Sequence, residues 1–301
     1  MKFCLLGDAH MRYRSPVNRK ETDFLEVSLR KMEQVHQIAE DHKCCAIIQA
    51  GDLFDSWSPS LELVSRFIDL RKSFPTRFLT IYGNHDLTNH SLKAKNSSAH
   101  SVLRSSGAIE ILDRETPKEI FDKESIVEIY GASFGEEPIT TEGRICFRIL
   151  VAHVMVGSSP LYSAHDIKSP QRYVAEHPGY DLYHVGDYHY SFLENVGDAV
   201  VNNSGCMLRM ATDTKDRTPL VRIIDTEDVK NVQTVELKVD KDVFVETVGK
   251  KDLIDVNEIV EKLRRSTAIG VSFRENLLSY CQEQNIEQPV RDIIEKAYGE
   301  L

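Results

Sequence analysis

Along its first third the chain switches between two hydrophobic periods. Residues 2–7 form a short apolar run that stops at Gly7-Asp8. Phe24, Leu25, Val27, Leu29, Met32, Val35, Ile38 and Ala39 then recur at helical spacing, which predicts an amphipathic helix over 22–41. The next apolar run, Cys44 to Ala50, ends at Gly51-Asp52. A second helical pattern through Leu61, Val64, Phe67, Ile68 and Leu70 opens after Ser58-Pro59, a cap residue followed by a proline in the first turn. Phe78 to Tyr82 then ends at Gly83-Asn84. Three times a strand-like run ends in glycine plus a polar side chain able to bind metal. Such alternation of strand and helix predicts an α/β sheet whose ligands gather at the carboxyl ends of its strands.

The second half changes texture. Runs at 126–131, 144–152, 181–186, 190–196, 199–203, 219–224 and 231–239, with short links, predict a second sheet, largely antiparallel, packed beside the first. The expected fold is α/β: a two-sheet sandwich flanked by helices over 1–239, followed by a small α+β unit over 240–301. In that unit 243–248 reads as a strand, and 256–265 and 272–299 as helices. No repeat, low-complexity tract or long linker interrupts the 301 residues, enough for one large core with an appendage.

Composition narrows the class. With 41% hydrophobic and 28% charged residues the chain is an ordinary globular protein, not a disordered, collagenous or coiled-coil one. The apolar stretch within Met1–Asp8 is too short for a signal peptide, and no stretch approaches the roughly 18 apolar residues of a membrane span. A cytoplasmic location away from the membrane is expected. Cys4, Cys44, Cys45, Cys146, Cys206 and Cys281 form no C-x-x-C spacing and read as reduced, mostly buried side chains. A net charge of −10 argues against gripping nucleic acid through a bulk positive field. It does not exclude a nuclease, because bound divalent cations and a local Lys/Arg stripe can still meet phosphates.

The chemistry lies at the strand ends. Asp8 and His10 are separated by one residue, so in extended backbone both point to the same side. Asp52 and Asn84 end the second and third runs, in Gly51 to Asp55 and Gly83-Asn84-His85-Asp86. His153 follows Val151-Ala152, and Asp187 and His189 follow Val185-Gly186. Taken singly, each Asp or Asn is a turn or cap residue. Together, seven oxygen and imidazole donors without a thiolate suit Mn²⁺, Fe²⁺ or Zn²⁺ in a catalytic site rather than a structural zinc.

Asp8-Ala9-His10, Gly51 to Asp55, Gly83 to Asp86, the lone His153 and Gly186 to His189 resemble the motifs D-x-H, G-D-x-x-D, G-N-H-D, H and G-H-x-H of the calcineurin-like metallophosphoesterase family. The resemblance covers roughly residues 1–210 and departs at one position, where Asp187 stands in place of a histidine. It implies a two-metal phosphoesterase. One metal would be held by Asp8, His10, Asp52 and His189, the second by Asp52, Asn84, His153 and Asp187, with Asp52 bridging. The implied cofactors are two divalent ions, Mn²⁺ with Mg²⁺ or Fe²⁺ as alternatives. The carboxylate at 187 adds negative charge and hardness, favouring Mn²⁺ or Mg²⁺. His85 is expected to stabilise phosphoryl charge or protonate the leaving alkoxide, with Asp86 raising its pKa and fixing its tautomer.

Within the superfamily the chain looks most like the SbcD-type branch, the nuclease subunit of double-strand-break repair complexes, and its phage relatives. Gly83-Asn84-His85-Asp86 follows Gly51 to Asp55 by about thirty residues, as in that branch. Asn203-Ser204-Gly205-Cys206-Met207 stands where relatives carry a Pro-Gly-Ser turn, and the unit from about 240 stands where they carry a DNA-capping domain. This implies a manganese-dependent DNA exonuclease, with endonuclease capacity open, acting with an ABC-type coiled-coil ATPase (SbcC-like) and admitting a homodimer. The stripe Ile286, Val290, Ile293, Ile294 and Ala297 is then a docking helix for the ATPase, or packs on its own domain. The unit itself caps DNA, or is a dimerisation or lid element. Arg12 and Arg14, with Arg19 and Lys20, follow the first motif on a loop bordering the metals. With Lys93 and Lys95 they are either phosphate contacts or ordinary basic loops. His90, His100, His165, His177 and His184 read as surface or structural residues. Two rivals stand: a small-molecule phosphodiesterase or nucleotide pyrophosphatase using the same metals, and a non-catalytic scaffold of the same fold.

Overall fold

The computed structural model describes residues 1–245 except 123–124, 142, 144–145, 158–166, 211–213 and 242. The chain divides into two compact units, Met1–Val245 and Glu246–Leu301. The second unit lies outside the described residues, as do the expected helices 256–265 and 272–299, the stripe from Ile286 to Ala297, Cys281 and His165. The first unit extends past residue 239 because Val243 O accepts from Lys20 N (2.8 Å) and Val245 N donates to Asn18 O (2.9 Å).

Phe3, Cys4, Leu5 and Leu6 are all buried, so β1 (Lys2–Leu6) presents apolar side chains to both faces, as a central strand must. Beside it, in parallel, lie β2 (Ala46–Gln49), β3 (Arg77–Thr80) and β4 (Glu110–Ile111). The crossovers between them carry α1 (Phe24–Asp41), α2 (Leu61–Lys72) and α3 (Ala99–Ser105). The Asp23 side chain caps α1 by accepting from Glu26 N (3.0 Å), and the Ser60 hydroxyl caps α2 by accepting from Leu63 N (3.2 Å). The cap of α2 is therefore Ser60 rather than Ser58, with Pro59 ahead of the helix.

The second sheet has the order β5 (Lys118–Asp122), β6 (Ser125–Ala132), β7 (Phe147–His153), β8 (Leu182–Gly186), β10 (Ala199–Asn203), β9 (Phe192–Val196). Period-two alternation sorts the side chains of the first sheet between two cores. Phe3, Leu5, Ile48 and Leu79 meet Val127, Ile129, Ile149, Val151 and Leu182 of the second sheet. Cys4, Leu6, Ile47 and Phe78 pack instead under Leu25, Met32, Val35, Leu63 and Phe67 of the helices.

Two expectations about this sheet are corrected. It is not largely antiparallel: β6, β7, β8 and β10 run parallel, and only β5 and β9, at its edges, run against them. The links after Ala132 and His153 are long enough for crossovers, the second carrying α4 (Pro170–Glu176), and parallel neighbours require such links. The runs at 219–224 and 231–239 belong to the first sheet, as β11 (Leu220–Asp225) and β12 (Gln233–Glu236). There β11 covers the open edge of β1 in antiparallel register, Lys2 opposite Asp225. Among the described residues no helix is long and apolar enough to cross a membrane, and the five cysteines are free.

Parallel direction delivers β1, β2, β3, β7 and β8 with their carboxyl ends at one rim of the sandwich. Histidine 184, fully buried on β8, ties the two sheets there. Its Nε2–H donates to Leu6 O at the end of β1 (2.9 Å), and its Nδ1 lies 2.9 Å from Asn202 Nδ2 on β10, which fixes the Nε2–H tautomer. Burial pushes its pKa down to about 4 from 6.5, so the ring is neutral in the fold. Because the folded pKa is depressed, this stabilisation is complete above about pH 6.5 and is lost as pH falls through about 4. The shift corresponds to about 3 kcal/mol. His184→Phe is expected to destabilise the protein at pH 7, with the gap from wild type narrowing steadily between pH 6.5 and 4 in urea unfolding curves. A gap independent of pH over that range would refute the neutral staple.

Candidate active site

The rim is built by stitching one strand-end loop to the next. Ala9 N and His10 N both donate to Asp52 O (3.0 and 2.9 Å), and Met11 N donates to Leu53 O (2.9 Å). The buried amide of Gln49, the last residue of β2, donates to Gly7 O (3.1 Å) and accepts from Gly51 N (3.2 Å). Asp187 N donates to both carboxylate oxygens of Asp8 (3.2 and 3.1 Å). The loops after β1, β2 and β8 thus form one hydrogen-bonded surface.

Three of the seven expected ligands sit in left-handed backbone: His10 at φ 44°, Asp52 at φ 54° and Asp187 at φ 78°. Non-glycine residues adopt this region at a cost and cluster there at functional sites. The extended geometry expected for Asp8-x-His10 is corrected accordingly: the chain turns at His10 to aim its ring. Gly51 precedes Asp52 at φ +89°, where a Cβ would come within 2.6 Å of the His153 ring. At Gly83 a methyl group would overlap Oδ1 and the backbone of Asp52, so glycine is the residue that lets β2 and β3 ends converge.

All seven donors come together. His10 Nε2 and His189 Nε2 face each other at 3.1 Å, with Asp8 Oδ2 3.5 Å from His189 and Asp52 Oδ2 3.7 Å from His10. On the other side of Asp52, His153 Nε2 lies 2.9 Å from Asn84 Oδ1, 3.5 Å from Asp52 Oδ2 and 4.0 Å from Asp187 Oδ1. The His153 Nδ1–H donates to Ala50 O (2.7 Å), which turns Nε2 toward the cluster as the nitrogen that would meet a cation. The two groups share Asp52, whose Oδ2 is buried without a hydrogen-bond partner. Paired imidazoles, an orphaned carboxylate oxygen and two further carboxylates fit two divalent cations.

The electrostatics agree with that fit except at His153. There burial disfavours the charge, but Asp52, then Asp187 and Asp8, outweigh it and raise the pKa well above the usual imidazole range, so that a cation would have to displace a proton. Burial pushes Asp8 well above the usual carboxylate range; His153 opposes the rise, and Asp52 and Asp187 add to it. Burial alone would raise Asp52 too, but the imidazoles of His153, His10 and His85 prevail and hold it well below its ordinary value. Burial likewise keeps His10 and His189 below the usual imidazole range, in the neutral form that binds metal. The opening is at His189, whose side chain is 44% exposed, whereas Asp8, His10, Asp52 and His153 are buried.

His85 lies against the first group: with His10 and Asp52 it forms one of the two clusters among the described residues able to hold a metal ion, the other being Asp8, His10 and His189. Its backbone N–H donates to Asp52 Oδ1 (2.8 Å), its ring meets His10 edge to face at 4.8 Å, and its Nδ1 bonds Asp55 O (3.0 Å). Burial disfavours its charge, but Asp52, then Asp55 and Asp86, offset this and raise its pKa. Asp86 thus contributes to the raised pKa as expected, but the expected fixing of the tautomer is corrected: the Asp55 carbonyl does that. The Asp86 carboxylate turns away to accept from Asp52 N (2.8 Å), Gly83 N (2.9 Å) and Phe54 N (3.3 Å), with buried His100 3.6 Å away. Asp86 thereby positions the loop carrying Asp52.

The basic residues separate into different roles. Arg12 pairs with Asp55 (3.1 Å), and its Nε–H donates to Arg14 O (2.8 Å). Arg19 is buried against Phe24 and Phe244 and pairs with Glu21, so it is a structural residue and not a phosphate contact. Arg14, Lys20, Lys93 and Lys95 are exposed. The sequence assigned no role to Gln49 or to Asp55, whereas His100 is the structural residue expected. Only Asp55 carried a signal, as the final residue of the second motif. The turn 203–207 supports the last ligands through Asn203, whose amide donates to Tyr188 O (2.7 Å) and whose Oδ1 accepts from Gly205 N (2.6 Å).

A rim of this donor set at the carboxyl ends of a mixed double sheet defines a metal-dependent phosphoesterase centre. The calcineurin-like phosphoesterase model matches residues 1–200, and the chain belongs to that family. No curated protein matches the sequence. Among solved structures, the Thermus thermophilus protein TT1561 is similar at 12% identity and a TM-score of 0.50, over 79% of this chain and 99% of that one. An archaeal phosphodiesterase is similar at 17% identity and a TM-score of 0.43, over 79% and 100% of the two chains. A putative 5′-nucleotidase from Staphylococcus aureus is similar at 13% and 0.46, over 87% and 58%. These likenesses concern the fold alone.

Gly83→Ala is expected to leave a folded protein that has lost most of its divalent metal, measured by elemental analysis after dialysis against Mn²⁺. Stoichiometry equal to wild type would contradict the convergence described for Asp52. Asp187→Ala should weaken the second of two Mn²⁺ binding steps by at least about tenfold in calorimetry, the effect of losing one charged ligand of roughly 1.4 kcal/mol or more. Asp187→His should restore that step. Identical isotherms for Ala and wild type would remove Asp187 from the ligand set.

Proposed function

We propose that the protein is a manganese-dependent DNA phosphodiesterase, an exonuclease subunit of the SbcD type that acts with an ABC-type coiled-coil ATPase and admits a homodimer. The observation that carries the hydrolytic part is the complete donor set around Asp52 with His85 beside it. The nucleic-acid part is supported by the resemblance of the motif spacing to that branch and by exposed Arg14, Lys93 and Lys95 near the site loops.

Bound by the two donor groups, divalent cations would neutralise the phosphoryl oxygens and acidify the attacking water. The protein's own residues do the rest. Asp8, Asp52 and Asn84, with the imidazoles beside them, would hold those cations, and the sheet ends, tied by Gln49 and Asp86, hold the donors without reorganisation. His85, with its proton favoured by Asp52 and its Nδ1 engaged by Asp55 O, presents its other ring nitrogen to the leaving oxygen and delivers a proton there. Asp187 in place of imidazole adds a hard oxygen donor, which favours Mn²⁺ or Mg²⁺ over softer ions.

The deciding experiment is release of nucleotides from linear duplex DNA with Mn²⁺, with and without the candidate ATPase, beside bis-p-nitrophenyl phosphate and cyclic nucleotides. Hydrolysis of the small esters with DNA left intact would establish the small-molecule phosphodiesterase instead. Absence of metal binding and of all hydrolysis would establish a scaffold. His85→Asn is expected to lower kcat by about 10²–10⁴-fold, the usual worth of a general acid, with metal content and DNA binding near wild type. Retained turnover would remove His85 from the chemistry.

A further inference from the structure

The last metal motif alternates ligands with tyrosines: Asp187, Tyr188, His189, Tyr190. The two tyrosine rings lie 5.5 Å apart at 37°, and the guanidinium of Arg217 sits on the Tyr190 ring, 3.4 Å from its centroid. Arg217 also donates to His189 O (3.4 Å), which ties the stack to the ligand loop. Tyr190 remains 40% exposed. Beside it opens a cavity of about 350 Å³, lined by His189, Tyr190, Cys206, Arg209 and Arg217 among others.

Three properties of this cavity point to its ligand. It shares His189 with the donor cluster, so a group that fills it lies beside the place a scissile phosphate would take. Its described lining carries the guanidiniums of Arg209 and Arg217, planar groups that stack on π systems. Its size falls in the range of small-ligand sites, and its wall is a flat Tyr–Arg stack, a surface on which nucleobases pile.

We infer that this cavity receives the nucleobase of a nucleotide joined to the scissile phosphate, stacked against the Tyr190–Arg217 pair. The inference rests on the phosphodiesterase reading above and gives it a substrate class: the site selects nucleotide esters through a base and is indifferent to which base, because every base offers a π face. Tyr190 and Arg217 are binding residues in this scheme and take no part in proton transfer.

The test uses Mn²⁺-loaded full-length protein and short single-stranded oligodeoxynucleotides in which one residue, on either side of the cleaved bond, is replaced by an abasic tetrahydrofuran. One of the two abasic substrates should lose about tenfold in kcat/KM relative to the unmodified strand, the scale of one base–aromatic stack. Tyr190→Leu and Arg217→Lys should show a similar loss on the unmodified strand and little further loss on that abasic one. Arg217→Lys keeps the charge and lacks the planar group, so it separates stacking from phosphate attraction. Equal losses by the variants on both substrates would mean a merely structural role and overturn the inference, as would a wild type that cleaves abasic and unmodified strands alike. A wild type that hydrolyses bis-p-nitrophenyl phosphate but no oligonucleotide would sink the nucleic-acid reading and this inference together.

Discussion

Burial of Asp8 and Asp52, with partly exposed Asp187 beside them, at the meeting point of two sheets is the constraint on which the rest of the structure depends. Like charges at this spacing repel, and removal from water adds to the cost. Every described feature of the rim answers that cost. Backbone N–H groups point at Asp8 and Asp86, His153 and His10 approach Asp52, and among the described residues no lysine or arginine pairs with Asp8, Asp52 or Asp187. The remaining deficit of positive charge is what divalent cations supply, and it is the reason the centre binds them.

Holding such a cluster open requires rigidity, and its source is visible in the backbone. Left-handed conformations at His10, Asp52 and Asp187 persist only because the loops around them are over-determined by hydrogen bonds and packing. Asp86 does this for Asp52, Gln49 for the ends of β1 and β2, His184 for the contact between sheets, and Asn203 for the last ligand loop. None of these touches a reacting atom. Each holds a ligand loop where strain would otherwise relax it.

The polarity of the site follows from the same architecture. Asp8, His10, Asp52 and His153 are sealed between the sheets, while His189 is half exposed beside the Tyr190–Arg217 stack. The donors are therefore reached from the His189 side, where Tyr190 and Arg217 line the surface, although the molecule as a whole is acidic. Local charge, not net charge, decides what such a protein attracts.

The linear chain by itself determined the strands, the principal helices and the ligand types, because apolar periodicity and Gly-Asp or Gly-Asn at strand ends are local properties. The runs at 126–131, 181–186 and 199–203 fall on β6, β8 and β10 within a residue or two. Strand direction and sheet membership were not legible there. Whether 219–224 joins one sheet or the other is a competition between distant edges, and β11 was taken by the open edge of β1. The two residues of β4 are too few to show a period, and β5, of which only Ile120 is buried, has no apolar run to read. Tertiary structure alone decided that Asp55, not Asp86, engages the His85 ring, that Arg19 is buried, and that His10 turns left-handed. A neighbour in sequence constrains where a side chain starts, whereas its partner is chosen by the loops that folding brings against it.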